Sequence, residues 1–134
     1  VDTNVLVYAH DTSAGVKHER SKELIRRLWE TGEGCLSVQV LQEFHVNVTR
    51  KVAKPLSLEV SRQLISDLSA WRIHIPSVQS ILDAIHIQAR HNISFWDAMV
   101  VASAYHLGCA LIWSEDLNPG QRYEGVPVVN PFST

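Results

Sequence analysis

The sequence predicts an α/β fold with a central, mainly parallel sheet, and three observations lead to this prediction. Helical and strand-like patterns alternate along the chain, which is typical of parallel sheets whose strands are joined by helices. Residues 109–113, CALIW, are apolar throughout, as expected of a strand that is covered on both faces. The length of 134 residues suits one compact domain, and no repeat or linker divides it. We therefore expect a single domain over residues 1–134.

The first half of the chain is predicted to contain three helices and a short strand. Helical spacing predicts a helix over residues 15–31 that buries Leu24, Ile25, Leu28 and Trp29. Residues 34–37 have the character of a strand, and the helix that follows over residues 38–53 carries an apolar stripe of Val38, Leu41, Phe44, Val48 and Val52. Pro55 ends this helix. The third helix, over residues 57–70, is expected to be buried through Val60, Leu64, Ile65 and Leu68.

The second half is predicted to alternate strands and helices. A strand over residues 73–75 precedes a helix over 77–90 whose inward-facing residues are expected to be Val78, Ile81, Leu82, Ile85 and Ala89. The next helix, FWDAMVVASAYHLG, is apolar nearly all round and is therefore expected to be buried. Ser94 and Asp97 resemble a capping box at its start. The last strand, residues 126–129, is expected at an edge because Pro127 cannot donate to a ladder.

Composition and charge exclude several classes of protein. A hydrophobic content of 46% and a charged content of 19% are ordinary for a globular chain. No apolar run approaches the ~20 residues of a membrane span, so no membrane partner is expected. The net charge of −2 argues against binding nucleic acid through bulk positive charge. Cys35 and Cys109 are isolated, and we interpret them as buried thiols in a reducing compartment, the cytoplasm, with a disulfide as the alternative.

Four of the fourteen acidic residues lie at element ends or beside apolar stripes. Each has a purely structural alternative: Asp2 as a local cap, Glu43 as an exposed helical residue, Asp97 as a partner of the helix dipole, and Asp116 as a turn residue. Glu115 competes with Asp116 for any role at that position. Considered together, these acids belong to separate segments that can converge at the carboxyl edge of a parallel sheet.

Convergence of these carboxylates predicts a metal site. Carboxylates packed together repel one another and raise one another's pKa values, and a divalent cation removes that conflict. A donor set made only of oxygens favours Mg²⁺ or Mn²⁺ over zinc.

With these positions identified, the sequence resembles the PIN-domain nucleases, and within them the VapC-type toxins of toxin–antitoxin pairs. The matching stretches are VDTNVLVY, SVQVLQEF, FWDAMVVASA, LIWSEDLNPGQ and VPVVNPF. They span almost the whole chain in the order and spacing of the family. The resemblance implies an α/β/α sandwich and a divalent-metal-dependent endoribonuclease that hydrolyses RNA phosphodiesters.

Carried over residue by residue, the resemblance implies an acidic site made of Asp2, Glu43, Asp97 and Asp116. Glu43 would be a ligand or would orient the attacking water, and supporting polar positions are implied for Asn4, Ser37 and Ser114. The partners implied are an RNA substrate, a cognate antitoxin protein and a second copy of the chain in a homodimer.

The resemblance also changes the expectation for the first residues. The propensity of residues 5–8 favours a strand, whereas the family has a short helix after the DTN motif. Asp2 would then end a central strand of which Val1 is the last trace, and we expect the native protein to start several residues earlier.

Other features support weaker hypotheses. The seven histidines raise the hypothesis of a zinc site. The spacings of His86 with His91 and of His106 with Cys109 match no recognised zinc motif. The four tryptophans are interpreted as core or dimer surface rather than as base-stacking platforms, and the role of Tyr8 is left open. Basic residues that can contact an RNA backbone are Lys17, Arg20, Lys22, Arg26, Arg27, Arg50, Lys51 and Lys54.

The alternative function is a non-catalytic PIN-like module that binds an antitoxin or RNA.

Overall fold

The computed structural model describes residues 1–133. In this range the helices are α1 (Thr3–Tyr8), α2 (Val16–Thr31), α3 (Val38–Arg50), α4 (Leu58–Leu68), α5 (Val78–His91) and α6 (Phe95–Leu107), with a 3₁₀ turn at Thr12–Ala14. The strands are β1 (Cys35–Ser37), β2 (Arg72–His74), β3 (Ile112–Trp113), β4 (Arg122–Tyr123) and β5 (Val126–Val129). None of these helices combines the length and the apolar character needed to cross a bilayer.

Serine side chains begin four of the helices. The hydroxyls of Ser37, Ser57, Ser77 and Ser94 accept hydrogen bonds from the first turns of α3, α4, α5 and α6, which satisfies backbone N–H groups that have no partner within the helix. Gly32 and Gly108 end α2 and α6 in the left-handed conformation, at φ of 70° and 68°. Short polar residues at helix starts and glycines at helix ends therefore explain why the predicted helix positions are close to the observed ones.

The strands form two small sheets that are bridged by the first two residues. β1 pairs with β2 in parallel, whereas β5 pairs in parallel with β3 and antiparallel with β4. The backbone N–H of Asp2 donates to the carbonyl oxygen of Trp113 at 2.9 Å. On the other side, the backbone nitrogen of Val1 donates to the carbonyl oxygen of Cys35 at 3.2 Å. The prediction of an α/β fold with a mainly parallel sheet is thus confirmed.

Helices cover this sheet and enclose the core. α6 packs on β1, β2 and β5, α3 packs on β1, and α1 packs against α2 and α3. Residues 98–104 of α6 are all buried, which confirms the prediction from its uniformly apolar sequence. The residues after Asp2 form α1, as the resemblance implied and in contrast to their strand propensity. The fold is an α/β/α arrangement.

Two predictions about strands and thiols were wrong. β5 is not an edge strand, because it lies between β3 and β4. Pro127 is tolerated there since the pairing with β3 begins at Val128, one residue after the missing N–H. Cys35 and Cys109 are free but only half-buried, and burial raises the pKa of the Cys109 thiol to about 11.

The predicted orientation of α5 was also wrong. Its expected inward residues, Val78, Ile81, Leu82, Ile85 and Ala89, are all exposed. The helix instead buries Ser80, Ala84 and Ile87, because small side chains allow α5 to lie close to α6. The same reversal occurs locally in α4, where Val60 is exposed and Ser61 is fully buried.

Candidate metal centre

Three carboxylates from distant parts of the chain meet at one point. Asp2 precedes α1, Asp97 lies in the first turn of α6, and Asp116 follows β3. One carboxylate oxygen of each lies within 4.8 Å of those of the other two. The structure thus brings together three of the four acids that the sequence analysis proposed.

Asp2 is the buried member of this cluster, with 7% of its surface exposed. One carboxylate oxygen accepts a hydrogen bond from the backbone N–H of Thr3 at 2.7 Å, and the other accepts from the hydroxyl of Ser114 at 2.7 Å. Asp2 is therefore both the cap of α1 and a fixed part of the cluster. Its two donors make burial of the carboxylate less costly.

Ser114 connects two of the acids through a single hydroxyl. The hydroxyl donates to Asp2 and accepts from the backbone N–H groups of Asp116 at 3.1 Å and Leu117 at 3.4 Å. Ser114 is completely buried, so this geometry is fixed by the packing around it. The turn after β3 is thereby held where the Asp116 carboxylate faces that of Asp2.

Asp97 takes its position from the start of α6. Its backbone N–H donates to the hydroxyl of Ser94 at 3.0 Å, but the return bond of a capping box is not found among the described residues. Burial raises the pKa of the Asp97 carboxyl above its ordinary value, the negative charges of Asp2 and Glu43 raise it further, and the nearby Ser94 hydroxyl opposes the rise. The carboxylate thus faces other acids instead of closing the cap.

The Asp116 carboxylate is held by Asn4. The amide nitrogen of Asn4 donates to it at 3.1 Å, and this bond joins α1 to the turn after β3. Burial raises the pKa of the Asp116 carboxyl, as do the charges of Asp2, Asp97 and Glu115, while the bond from Asn4 lowers it in part.

Glu115 is bound by other partners. One of its oxygens accepts from the hydroxyl of Tyr8 at 2.6 Å, and the other accepts from the ammonium of Lys17 at 2.7 Å. The same ammonium lies 5.1 Å from the ring centre of Tyr8 and 5.4 Å from that of Phe132. The geometry therefore favours Asp116 over Glu115 as the acid of this turn that faces a cation.

Glu43 lies at the margin of the cluster. Its carboxylate accepts from the amide of Gln39 at 2.7 Å and from the hydroxyl of Thr3 at 3.3 Å, and it is outside the group of three mutually close acids. Ser37 accepts from the backbone N–H of Val40. The contact that the structure gives its side chain is thus a cap of α3, the helix that carries Glu43.

Four residues contact the acids of this region in a way that the sequence did not predict. Thr3 and Gln39 orient Glu43, and Tyr8 and Lys17 bind Glu115. The spacing of Gln39 and Glu43, four residues apart on a helix, is a signal that indicated their contact. No comparable signal linked Tyr8 and Lys17 to a residue about a hundred positions away.

The cluster suits a hard divalent cation. Within residues 1–133, no lysine, arginine or histidine forms an ion pair with Asp2, Asp97 or Asp116, so their negative charges are not balanced by the protein. Carboxylate oxygens are the donors that Mg²⁺ and Mn²⁺ prefer. The group of three found among the described residues is made of aspartates alone.

An α/β fold with three carboxylates at the carboxyl end of its sheet is the arrangement of proteins that bind a ligand or a divalent cation at that edge. Residues 1–123 match the family model of the PIN domain, and the chain belongs to this family. PIN domains are generally metal-dependent nucleases. None of the curated proteins compared with the chain matches it.

The raised pKa values of Asp97 and Asp116 predict how stability depends on pH and metal. The folded state binds the carboxyl protons of Asp97 and Asp116 more tightly than the unfolded chain does. The free energy of unfolding of the metal-free protein therefore falls as the pH rises from about 4, the ordinary pKa of an aspartate, through the raised pKa values of the folded state.

The Asp116→Asn substitution removes one repelling charge from the cluster. We expect the metal-free variant to have a Tm about 1–3 °C higher than wild type at pH 7, and to gain less from added Mg²⁺.

Thermal unfolding in EDTA and in Mg²⁺, at pH 5 and pH 7, measures both effects. Asp67→Asn is the matched control, because Asp67 is an exposed acid on α4, and its response to Mg²⁺ should equal that of wild type. A lower metal-free Tm in Asp116→Asn together with an undiminished response to Mg²⁺ would contradict the assignment.

Proposed function

We propose that the protein is a divalent-metal-dependent endoribonuclease that acts as the toxin of a toxin–antitoxin pair. The observation that supports this most directly is the group of three mutually close carboxylates in a PIN domain. Structural acids are normally separated or paired with bases, whereas these three lack a basic partner among the described residues. A cation that also contacts a phosphate would account for this arrangement.

The proposed roles follow from the contacts of each side chain. Asp2, Asp97 and Asp116 would hold Mg²⁺ or Mn²⁺, with Ser114 and Asn4 fixing the orientation of two of them. When bound, the metal supplies positive charge that stabilises the phosphate in the transition state and makes water a better nucleophile. Glu43, oriented by its own donors, would orient the attacking water. Water would attack phosphorus, the bond from phosphorus to the leaving ribose oxygen would break, and the proton given up by the water would balance the one that the leaving oxygen takes up from solvent.

An exposed aromatic side chain next to Asp97 in the sequence offers a candidate contact for a base of the RNA. Trp96 directly precedes Asp97 and is 62% exposed, and its ring lies edge-to-face with that of Phe95 at 5.1 Å. The exposure argues against the core position considered for this tryptophan. Aromatic side chains stack on unpaired bases with little dependence on sequence. We therefore assign Trp96 to a single-stranded segment of RNA next to the cleaved bond.

The first test is cleavage of RNA by the purified protein, free of any antitoxin. We expect cleavage with Mg²⁺ or Mn²⁺, none with EDTA, and a loss of kcat/KM of at least about 100-fold in Asp97→Asn, because a lost ligand weakens binding of the metal on which transition-state stabilisation depends. Asp116→Asn should lose much more activity than Glu115→Gln, since Glu115 is bound to Tyr8 and Lys17.

Asp67→Asn serves again as the control and should cleave like wild type. Full activity in Asp97→Asn, or cleavage that persists in EDTA, would refute the metal-dependent mechanism. Tight binding of RNA or antitoxin without any cleavage would instead favour a non-catalytic binding module.

The role of Trp96 predicts a change in KM more than in kcat. Loss of one stacking contact in Trp96→Ala should raise KM by about 5- to 100-fold, whereas Trp96→Phe should retain much of the affinity. Tyr105→Ala is the matched control, because Tyr105 is 64% exposed near the other end of the same helix. An unchanged KM in Trp96→Ala would exclude the stacking contact.

The toxin role is tested in cells. Induced expression of the wild-type chain in a bacterial host should arrest growth and produce cleaved RNA, whereas Asp97→Asn at equal expression should do neither. An enzyme that cleaves RNA in solution but leaves growth and cellular RNA intact would contradict the toxin role while leaving the nuclease assignment in place.

A further inference from the structure

A cavity of about 500 Å³ lies between α5, α6 and the end of β2. Three histidines from these three elements line it, His74 of β2, His86 of α5 and His106 of α6, together with Asp83 of α5. Asp97 lies in the first turn of α6, whereas His106 lies in its last turn. The cavity is therefore at the opposite end of this helix from the three aspartates, and none of them lines it.

Two of the imidazoles are neighbours in this cavity. The ring centres of His74 and His106 are 4.6 Å apart, and the ring planes are inclined by 40°. The Nδ1 of His74 is hydrogen-bonded to the hydroxyl of Ser103 at 2.7 Å. Within residues 1–133, the Nε2 of His74 and both ring nitrogens of His106 have no hydrogen-bond partner. Nitrogen donors from two imidazoles are thus available side by side.

His74 is held in the state that binds a metal. Its side chain is buried, with 4% exposed, but its Nε2 is not one of the fully enclosed polar atoms that lack a partner, so this nitrogen opens onto the cavity. When Nδ1 donates to the Ser103 hydroxyl, Nε2 carries the lone pair that a metal requires. Burial lowers the pKa of the His74 imidazole, and the neighbouring His106 lowers it further, which favours the neutral form.

Helix α5 supplies two further donors. Asp83 and His86 are three residues apart, so they lie on the same side of the helix, and a carboxylate followed three residues later by a histidine is a spacing that presents metal ligands in helical bundles. The Asp83 carboxylate accepts from the neutral amide of Gln79 at 2.9 Å and forms no ion pair within the described range of residues 1–133. Its negative charge therefore remains available beside the imidazoles and favours a cation over an anion.

The two donors on α5 reach the metal by rotation of exposed side chains. Among the described residues, the group whose donor atoms already lie within 4.8 Å of one another is the three aspartates. Asp83 and His86 are exposed, and their present bonds are to Gln79 and, at 2.9 Å, to the guanidinium of Arg90. Solvent can replace these exposed partners, so exchanging them for a metal costs little.

The donor set selects a different metal from the aspartate cluster. Three imidazole nitrogens and one carboxylate oxygen make up the four ligands of a tetrahedral zinc site, and imidazole donors favour Zn²⁺ over Mg²⁺. The pairs considered from the sequence did not indicate this set, because its histidines belong to three different elements.

We propose that His74, Asp83, His86 and His106 form a second metal site, which binds Zn²⁺ and joins α5 to β2 and to the end of α6. This proposal is independent of the nuclease assignment, since none of the four residues belongs to the aspartate cluster.

Titration calorimetry with Zn²⁺ tests the site in the purified protein, with Mg²⁺ in excess to occupy the aspartates. Wild type should bind one Zn²⁺ per chain, and its Tm should rise on binding. His106→Gln and His86→Gln should each weaken Zn²⁺ binding by at least about 10-fold, the loss that even an outer-shell change causes. Both side chains are exposed, so both variants should have the circular dichroism spectrum of wild type.

Three control variants locate the bound zinc. His45→Gln changes a histidine of α3 that is bound to Ser61 outside the cavity, Cys109→Ser removes a free thiol, and Asp97→Asn removes a member of the aspartate cluster. All three should bind Zn²⁺ with the affinity of wild type. Wild type that binds no Zn²⁺ at micromolar concentrations, or undiminished affinity in His106→Gln, would overturn the proposal. Loss of Zn²⁺ binding in Cys109→Ser or in Asp97→Asn would also overturn it, because the zinc would then lie at the thiols or at the aspartates.

Discussion

The arrangement of the candidate site depends on the repulsion between three carboxylates that the fold forces together. Their oxygens lie within 4.8 Å of one another, and burial adds to the cost of keeping them ionised. The carboxylates accept hydrogen bonds from neutral donors rather than from bases. These donors are the hydroxyl of Ser114, the amide of Asn4 and the first backbone N–H of α1. Neutral donors orient the carboxylates without neutralising them, so the negative charge remains available to a cation.

These hydrogen bonds explain the local structure at the start of α1 and in the turn after β3. Asp2 serves as the cap of a six-residue helix, and its position is fixed because its own N–H is bonded to the end of β3. Ser114 is buried in the turn after that strand and binds both Asp2 and the backbone of Asp116. The nearby base Lys17 forms an ion pair with Glu115. Lys17 is therefore not available to neutralise the charges of Asp2, Asp97 and Asp116.

The fold could be predicted from the sequence to a large extent because its signals are local. Serine caps, terminal glycines and the uniformly apolar α6 act within a few residues, and each indicated an element close to its observed position. The convergence of Asp2 and Asp116 followed from the rule that strand ends share an edge. Asp97 is not covered by this rule, because α6 follows α5 without a strand between them. The pairing of Glu115 with Tyr8 and Lys17 could not be predicted, since it depends on side chains separated by about a hundred residues. The position of β5 likewise depends on β4, a two-residue strand whose sequence carries little signal.

The wrong prediction for α5 has a different physical cause. Periodicity shows that a helix has an apolar side, but it does not show whether the partner of that side belongs to the same chain. In α6 the question does not arise for residues 98–104, because every side of this stretch is buried within the chain. In α5, Ser80 and Ala84 are buried, whereas the larger side chains of Val78, Ile81, Leu82 and Ile85 are exposed. The close packing of α5 on α6 therefore selects the side that carries small residues, and periodicity alone does not reveal that selection.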